Sequence, residues 1–312
     1  MSSALPETRA ASPVDSGILR ASAIRTLSAL ACALFLVAGC AASPVGVDRI
    51  DPEEVQRELT ASVLSGDRLS QNSRAVLNRL DLADLHADDP AAAIAKLHAM
   101  LGPTGHPNRL STLAEISFGH AARTGDRRYF LAAAAYAYAF LFPDDGSKRP
   151  SAYNPLFRLA CDLYNRGIAE GLTRANDRKV TLASGSYELP FGTLEIAVDP
   201  SGFSWSGFTL GPFASAADYR VRGLVNCYRR PGIGAPLVAG LKRDRAVSAI
   251  QRAYIAPGWK VPVTALLRFD DARASPARGT LRARLDLFAE NVAEHVQIAG
   301  QTVPLEYEPS SA

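Results

Sequence analysis

The chain has 312 residues, of which 47% are hydrophobic, 21% charged and 8% aromatic. That is a globular composition, which excludes wholesale disorder and a polytopic membrane protein and leaves room for about two domains. Thirty-four Lys and Arg against 31 Asp and Glu give a net charge of +3, too balanced to point to nucleic acid, and the four cysteines lack a Cys-x-x-Cys pair, which excludes a zinc ribbon or a thioredoxin-type site.

Residues 1–39 read as a targeting segment. Arg20 and Arg25 precede an apolar run over residues 27–38, followed by Gly39 and Cys40. A basic stretch, an apolar core and small residues before a cut describe a secretory signal. The run is too short to span a bilayer, which needs about 20 apolar residues. Val37-Ala38-Gly39-Cys40 resembles the bacterial lipobox, which implies cleavage before Cys40 and lipidation of its thiol. A plain signal peptide with a chance cysteine is the competing reading. The long region ahead of the apolar run allows a start at Val14 or Leu19. Ala41 stands where an Asp would, by resemblance to enteric lipoproteins, imply inner-membrane retention, so the expected address is the outer membrane, facing the periplasm. Removing residues 1–39 leaves 31 basic and 29 acidic residues, a net +2. Cys161 and Cys227 are then the remaining thiols. A disulfide between them in an oxidising periplasm and two buried free cysteines both fit.

Residues 40–175 read as a helical domain. Asp51-Pro52-Glu53-Glu54 supplies a cap, a first-turn proline and two acids, with Val55, Leu59 and Val63 on one face. Asp89-Pro90 and Asn154-Pro155 open further helices. Residues 108–124 form another, with Leu110, Leu113, Ala114, Phe118 and Ala121 apolar and Gly125 as its stop. Residues 129–142 are apolar all round, which places that helix at the centre of a bundle. The helix hairpin is weakly tetratricopeptide-like, but no 34-residue period supports an array.

Residues 176–312 read as a mainly β domain, with a polar boundary near residues 173–179. Leu194, Ile196 and Val198 alternate with Glu195 and Ala197; Tyr219, Val221, Gly223 and Val225 with Arg220 and Arg222; Leu281, Ala283, Leu285 and Leu287 with Arg282, Arg284 and Asp286. The expected fold class is therefore α+β: an amino-terminal helical bundle followed by an antiparallel β-sandwich or small barrel of roughly seven to nine strands.

Chemical motifs are scarce. Gly202-Phe203-Ser204-Trp205-Ser206 lacks the second glycine of a nucleophile elbow and sits in a strand pattern, so Ser204 is not assigned as a nucleophile. His86, His98, His106, His120 and His295 form no metal-ligand spacing, and neither metal nor cofactor is expected. His120 reads as a packing or hydrogen-bonding residue. Asp88-Asp89 and Asp144-Asp145 fall at helix ends, where carboxylates serve caps and loops. Gly232-Ile233-Gly234 lacks the third glycine and following helix of a phosphate loop. One charge feature stands out: Arg220, Arg222, Arg229, Arg230, Lys242, Arg243, Arg245, Arg252 and Lys260 are opposed within residues 219–260 by Asp244 alone. Such a stripe, with Arg220, Arg222, Arg229 and Arg230 at its core, suits an anionic headgroup, wall polymer or acidic protein face; a solvated sheet face is the plainer alternative.

Several runs carry a family resemblance. Asp51-Pro52-Glu53-Glu54-Val55-Gln56-Arg57-Glu58-Leu59-Thr60, Tyr136-Ala137-Tyr138-Ala139-Phe140-Leu141-Phe142 and Phe157-Arg158-Leu159-Ala160-Cys161-Asp162-Leu163-Tyr164-Asn165-Arg166 belong to it. So do Tyr228-Arg229-Arg230-Pro231-Gly232-Ile233-Gly234-Ala235-Pro236-Leu237 and Lys260-Val261-Pro262-Val263-Thr264-Ala265-Leu266-Leu267-Arg268. Together, nearly all of residues 40–312 resembles the amino-terminal portion of bacterial lipoproteins whose carboxy-terminal portion is an α/β-hydrolase domain of esterase or lipase kind. The resemblance implies continuation past Pro309 into a domain bearing the Gly-x-Ser-x-Gly elbow. No such elbow is present, so no catalytic residue carries over. The expected function is a lipid-anchored accessory region of a hydrolase, its partners the membrane and a hydrolase domain or another envelope component, with nucleic acid excluded. The alternatives are a self-sufficient periplasmic binding or assembly lipoprotein, and an ester hydrolase in its own right.

Overall fold

The computed structural model describes residues 51–66, 68–102, 105–205, 207–219, 229–242, 258–289 and 293–307. Cys40, Arg220, Arg222 and Cys227 lie outside them, as does the strand expected over residues 219–225 apart from Tyr219. The fold is α+β, and residues Pro52–Ala312 make up one compact unit.

Eight helices are described: α1 (Pro52–Thr60), α2 (Gln71–Arg79), α3 (Ala83–Asp88), α4 (Pro90–Ala99), α5 (Pro107–Thr124), α6 (Arg127–Leu141), α7 (Pro155–Gly171) and the short α8 (Ser275–Arg278). Their starts follow local chemistry. Asp89 accepts from the Ala92 amide at 3.0 Å and Asn154 from that of Leu156 at 2.9 Å, each followed by proline, whose missing amide costs nothing in a first turn. Gly125 ends α5 at φ 73°, in the left-handed region. Asp126 then caps α6, in which every residue from Phe130 to Leu141 is buried. The close fit of α7 on α6 depends on Gly167 and Gly171. A Cβ at Gly167 would come within 2.7 Å of the Phe130 carbonyl oxygen, and one at Gly171 within 2.7 Å of the Leu131 side chain.

The amino-terminal stripe differs from expectation. α1 stops at Thr60, so Val63 leaves the helical face, and Val55 and Leu59 stay 40% and 68% exposed. Val63 instead packs on Gly119 of α5.

Nine strands are described: β1 (Gly185–Leu189), β2 (Gly192–Val198), β3 (Ser204–Trp205), β4 (Phe208–Ser215), β5 (Ala235–Lys242), β6 (Lys260–Asp270), β7 (Thr280–Ala289), β8 (His295–Ile298) and β9 (Gln301–Pro304). The first seven form one sheet in the order β1-β2-β7-β6-β5-β4-β3, and β8-β9 form a separate pair. Alternation is clear on β7, where Leu281, Ala283, Leu285 and Leu287 are buried and Arg282 and Arg284 exposed. Asp286 breaks the pattern: it is buried because Arg268 and Arg284 bond it at 2.6 and 2.9 Å. The sheet is mixed, since β2 runs parallel to β7, a pairing between distant segments that alternation alone does not encode. Four strands separate β2 from β3 in the hydrogen-bonding order, about 24 Å across a flat sheet. The chain bridges them in the six steps from Val198 to Ser204, at most about 21 Å when extended and less through the 3₁₀ turn Pro200–Phe203. The sheet therefore curls.

Helices and sheet share a core. The Tyr138 ring lies 5.7 Å from that of Tyr164 and 5.2 Å from that of Phe269, joining α6, α7 and β6. Among the described residues no helix is long and apolar enough to cross a membrane.

Candidate functional site

The densest polar constellation lies where α7 meets the loop before β5. Arg158, Asp162 and Asn165 recur at helical spacing and so share one face of α7. Arg158 grips Asp162 through two bonds of 3.0 and 2.6 Å. Arg229 adds a bond to the same carboxylate at 2.8 Å and a second, from its Nε, to Glu306. Glu306 is fully buried; its other oxygen accepts from the Gly232 amide at 2.6 Å and lies 3.7 Å from Arg158. Asn165, 1% exposed, donates to the Gly232 carbonyl at 3.2 Å and accepts from the Gly234 amide at 2.7 Å. A buried carboxylate is tolerated only when paired and fully hydrogen-bonded, and here two arginines and a backbone amide meet that need.

These groups clamp one stretch of chain. Residues 304–307 run beside residues 230–233: the Arg230 amide donates to the Tyr307 carbonyl at 2.8 Å and the Tyr307 amide returns a bond at 3.0 Å, while Ile233 donates to Pro304 at 2.9 Å and Glu306 to Ile233 at 3.0 Å. Thr264 of β6 donates to the Glu306 carbonyl at 2.6 Å. The glycines of Arg229-Arg230-Pro231-Gly232-Ile233-Gly234 serve this approach. A Cβ on Gly232 would lie 2.4 Å from the Pro304 carbonyl oxygen, and Gly234 adopts φ 108°.

Electrostatics explains the stability of the charged forms. Burial opposes the Arg229 charge, but hydrogen bonding to Glu306 and the nearby Asp162 outweigh it and raise the pKa. Cys161, one residue from Asp162, is a buried thiol pushed up to about 12 chiefly by burial. A thiol so hard to ionise is a poor nucleophile.

The two described arginines at the core of the basic stripe thus face acids brought from elsewhere in the chain. Arg229 meets Asp162 and Glu306, and Arg230 reaches Glu294 at 3.3 Å with its guanidinium 5.6 Å from the centre of the Tyr307 ring. The sequence shows Asp244 as the local counter-charge because these acids are distant in the chain. Nothing in the sequence marks Glu306; the i, i+4 spacing of Arg158 and Asp162 was a readable signal.

The other singled-out residues are dispersed. Ser204 opens β3 opposite Thr209, exposed and preceded by the 3₁₀ turn. His98 stacks on Phe191 with centroids 4.7 Å apart and shares a 2.8 Å hydrogen bond with Tyr136; burial lowers its pKa. His120 packs edge-on against Tyr129 at 4.4 Å. Asp89 is a cap, and Asp144 and Asp145 face Arg273, which also donates to the Ala139 and Gly105 carbonyls, both at 3.0 Å. Among the described residues no group of three or more His, Cys, Asp or Glu is placed to hold a metal ion.

The fold and the clamp define an α+β protein whose most connected polar site binds its own backbone. No family model matches the chain, and neither a curated protein nor a solved structure does.

Proposed function

We propose that this protein is a lipid-anchored envelope component, the non-catalytic accessory region of an α/β-hydrolase-type lipoprotein. It is held through Cys40 at the outer membrane and faces the periplasm. One observation carries the reading. Three of the runs that resemble hydrolase-bearing lipoproteins supply the clamp: residues 157–166 provide Arg158, Asp162 and Asn165, residues 228–237 provide Arg229, Gly232 and Gly234, and residues 260–268 provide Thr264. What they hold is residues 304–307, the stretch that in those lipoproteins leads toward the hydrolase domain. The clamp then sets the direction in which a catalytic partner departs from, or docks beside, the sheet. In this reading the α5–α6 hairpin acts as one tetratricopeptide-like unit in a bundle, and the curled sheet is the platform of a sandwich or small barrel.

The test is affinity capture from an envelope extract with the processed protein as bait, followed by a fluorophosphonate probe that marks active serine hydrolases. A labelled polypeptide that co-purifies with wild type and is lost with Glu306→Ala supports the proposal. Labelling of the bait itself overturns it in favour of a hydrolase in its own right, and absence of any labelled partner overturns it in favour of a self-sufficient lipoprotein.

That last reading has one observation of its own. Arg178, Lys179, Lys260 and Tyr219, which is 41% exposed, line a cleft of about 520 Å³ together with Asp177 and Asp218, which pair with Lys179 at 3.2 Å and Arg178 at 2.7 Å. Lys260, with no ion pair among the described residues, beside an accessible aromatic ring suits an anionic group.

A further inference from the structure

A second site stands on α5, built by a loop and not by the clamp. Glu115, fully buried, accepts from the Val63 and Ser70 amides at 3.3 and 2.8 Å and from the Ser70 and Ser73 hydroxyls at 2.5 and 2.6 Å. Four donors on one carboxylate pin the segment between α1 and α2, and the first turn of α2, onto α5. One turn further on, Gly119 lets Val63 seat tightly, since a Cβ there would lie 3.0 Å from Val63 Cγ1. Beside this contact lies a cavity of about 130 Å³ lined by Val63, Leu69 and Ile116 together with His86 and Arg123. Neither the His86 ring nor the Arg123 guanidinium makes a hydrogen bond or ion pair among the described residues.

We propose that this cavity binds a short-chain carboxylate, with the carboxylate on Arg123 and His86 and the alkyl tail against Val63, Leu69 and Ile116. The chemistry selects that class. Arg123 offers one fixed positive charge and a planar fork that matches a carboxylate. His86 is half-buried, its pKa lowered by burial and then by Arg123 and His120, so near neutrality it adds a hydrogen bond without a second charge. The acids nearby, Asp89 and Asp126, act on His120. An inorganic phosphate would set a wholly polar anion against the three apolar side chains and lose hydration there. The volume equals roughly four waters of bulk liquid, the size of propionate or butyrate. Such acids are products of ester hydrolysis, but the site is complete in this chain and its binding does not depend on an attached hydrolase.

The test follows the His86 imidazole resonances, assigned with His86→Gln, in the full processed protein while sodium butyrate is added at constant ionic strength and pH 7. Sodium phosphate and sodium chloride serve as comparison titrations. A saturable shift with butyrate, at a dissociation constant on the order of 1 mM, is expected. The exposed Arg123→Gln should keep the circular dichroism spectrum and weaken binding at least about tenfold. Ala122→Phe, also exposed, should block the mouth with a similar loss. An equal response to phosphate or chloride would overturn the carboxylate assignment. Undiminished butyrate binding by folded Arg123→Gln, or no shift up to about 100 mM, would overturn the site.

Discussion

The hydroxyl of Tyr164 donates to the Leu267 carbonyl at 2.6 Å and accepts from the Leu267 amide at 2.9 Å. β5 begins at Ala235 opposite Ala265, so Leu267 lies past the end of its neighbour and its backbone has no strand partner on that side. A side chain from α7 completes the sheet edge. Tyr164→Phe keeps the ring and strands two buried backbone groups, so it should cost about 2–4 kcal/mol. Urea unfolding measures this; a loss below about 0.5 kcal/mol would mean that water replaces the hydroxyl.

The same burial sets a response to alkali. Tyr136 and Tyr164 are held well above the usual 10.0, and Tyr138 is pushed up to about 12, in each case chiefly by burial; Cys161 rises from 9.0 to about 12. Each group keeps its proton longer in the folded chain than in the unfolded one. The unfolded state therefore binds fewer protons above the unfolded pKa, and stability falls as pH rises. At neutral pH these groups add no pH dependence. The urea midpoint should begin to drop near pH 9, steepen above pH 10 and become shallower in Tyr138→Phe. A midpoint constant to about pH 11 would contradict the packing of α6 and α7.

How much of this was legible depends on the distance over which each signal acts. The starts of α4 and α7 were readable because Asp89-Pro90 and Asn154-Pro155 are self-contained cap chemistry. The central place of α6 was readable because an all-apolar helix has nowhere else to go. α2 and α3 were not, being short and polar and packed in place by distant partners, Glu115 of α5 among them. The β2–β7 pairing joins segments more than 80 residues apart in register, Leu194 with Leu281 for example, and alternation marks a strand without naming its neighbour. The clamp was half legible: the arginines were visible as charge, but their counter-ions were not.

The proposed anchor is tested apart from the fold. Cys40→Ser should abolish incorporation of labelled palmitate and leave the protein either unprocessed or, once residues 1–39 are removed, released from membranes, since no described helix is long and apolar enough to hold it there. A processed mutant that stays with membranes after a high-salt wash would argue against lipid anchoring and for a protein-mediated attachment.

The clamp yields a pairwise prediction. Glu306→Ala removes the buried carboxylate and leaves the Gly232 amide without its acceptor and Arg229 with Asp162 alone. A loss of about 3 kcal/mol is expected, together with faster proteolysis near Tyr307. Arg229→Ala leaves Glu306 buried with Arg158 3.7 Å away and should cost about 2 kcal/mol, less because the Arg229 side chain is 43% exposed and partly screened. If the two act as one unit, the double mutant falls short of their sum by about 1–3 kcal/mol. Additive losses would show that Arg229 belongs to a solvated face, the plainer alternative for the basic stripe. A large coupling would show that at least this arginine serves the chain's own architecture, leaving Lys242 and Lys260, which make no ion pair among the described residues, as the stripe cations open to an anionic partner.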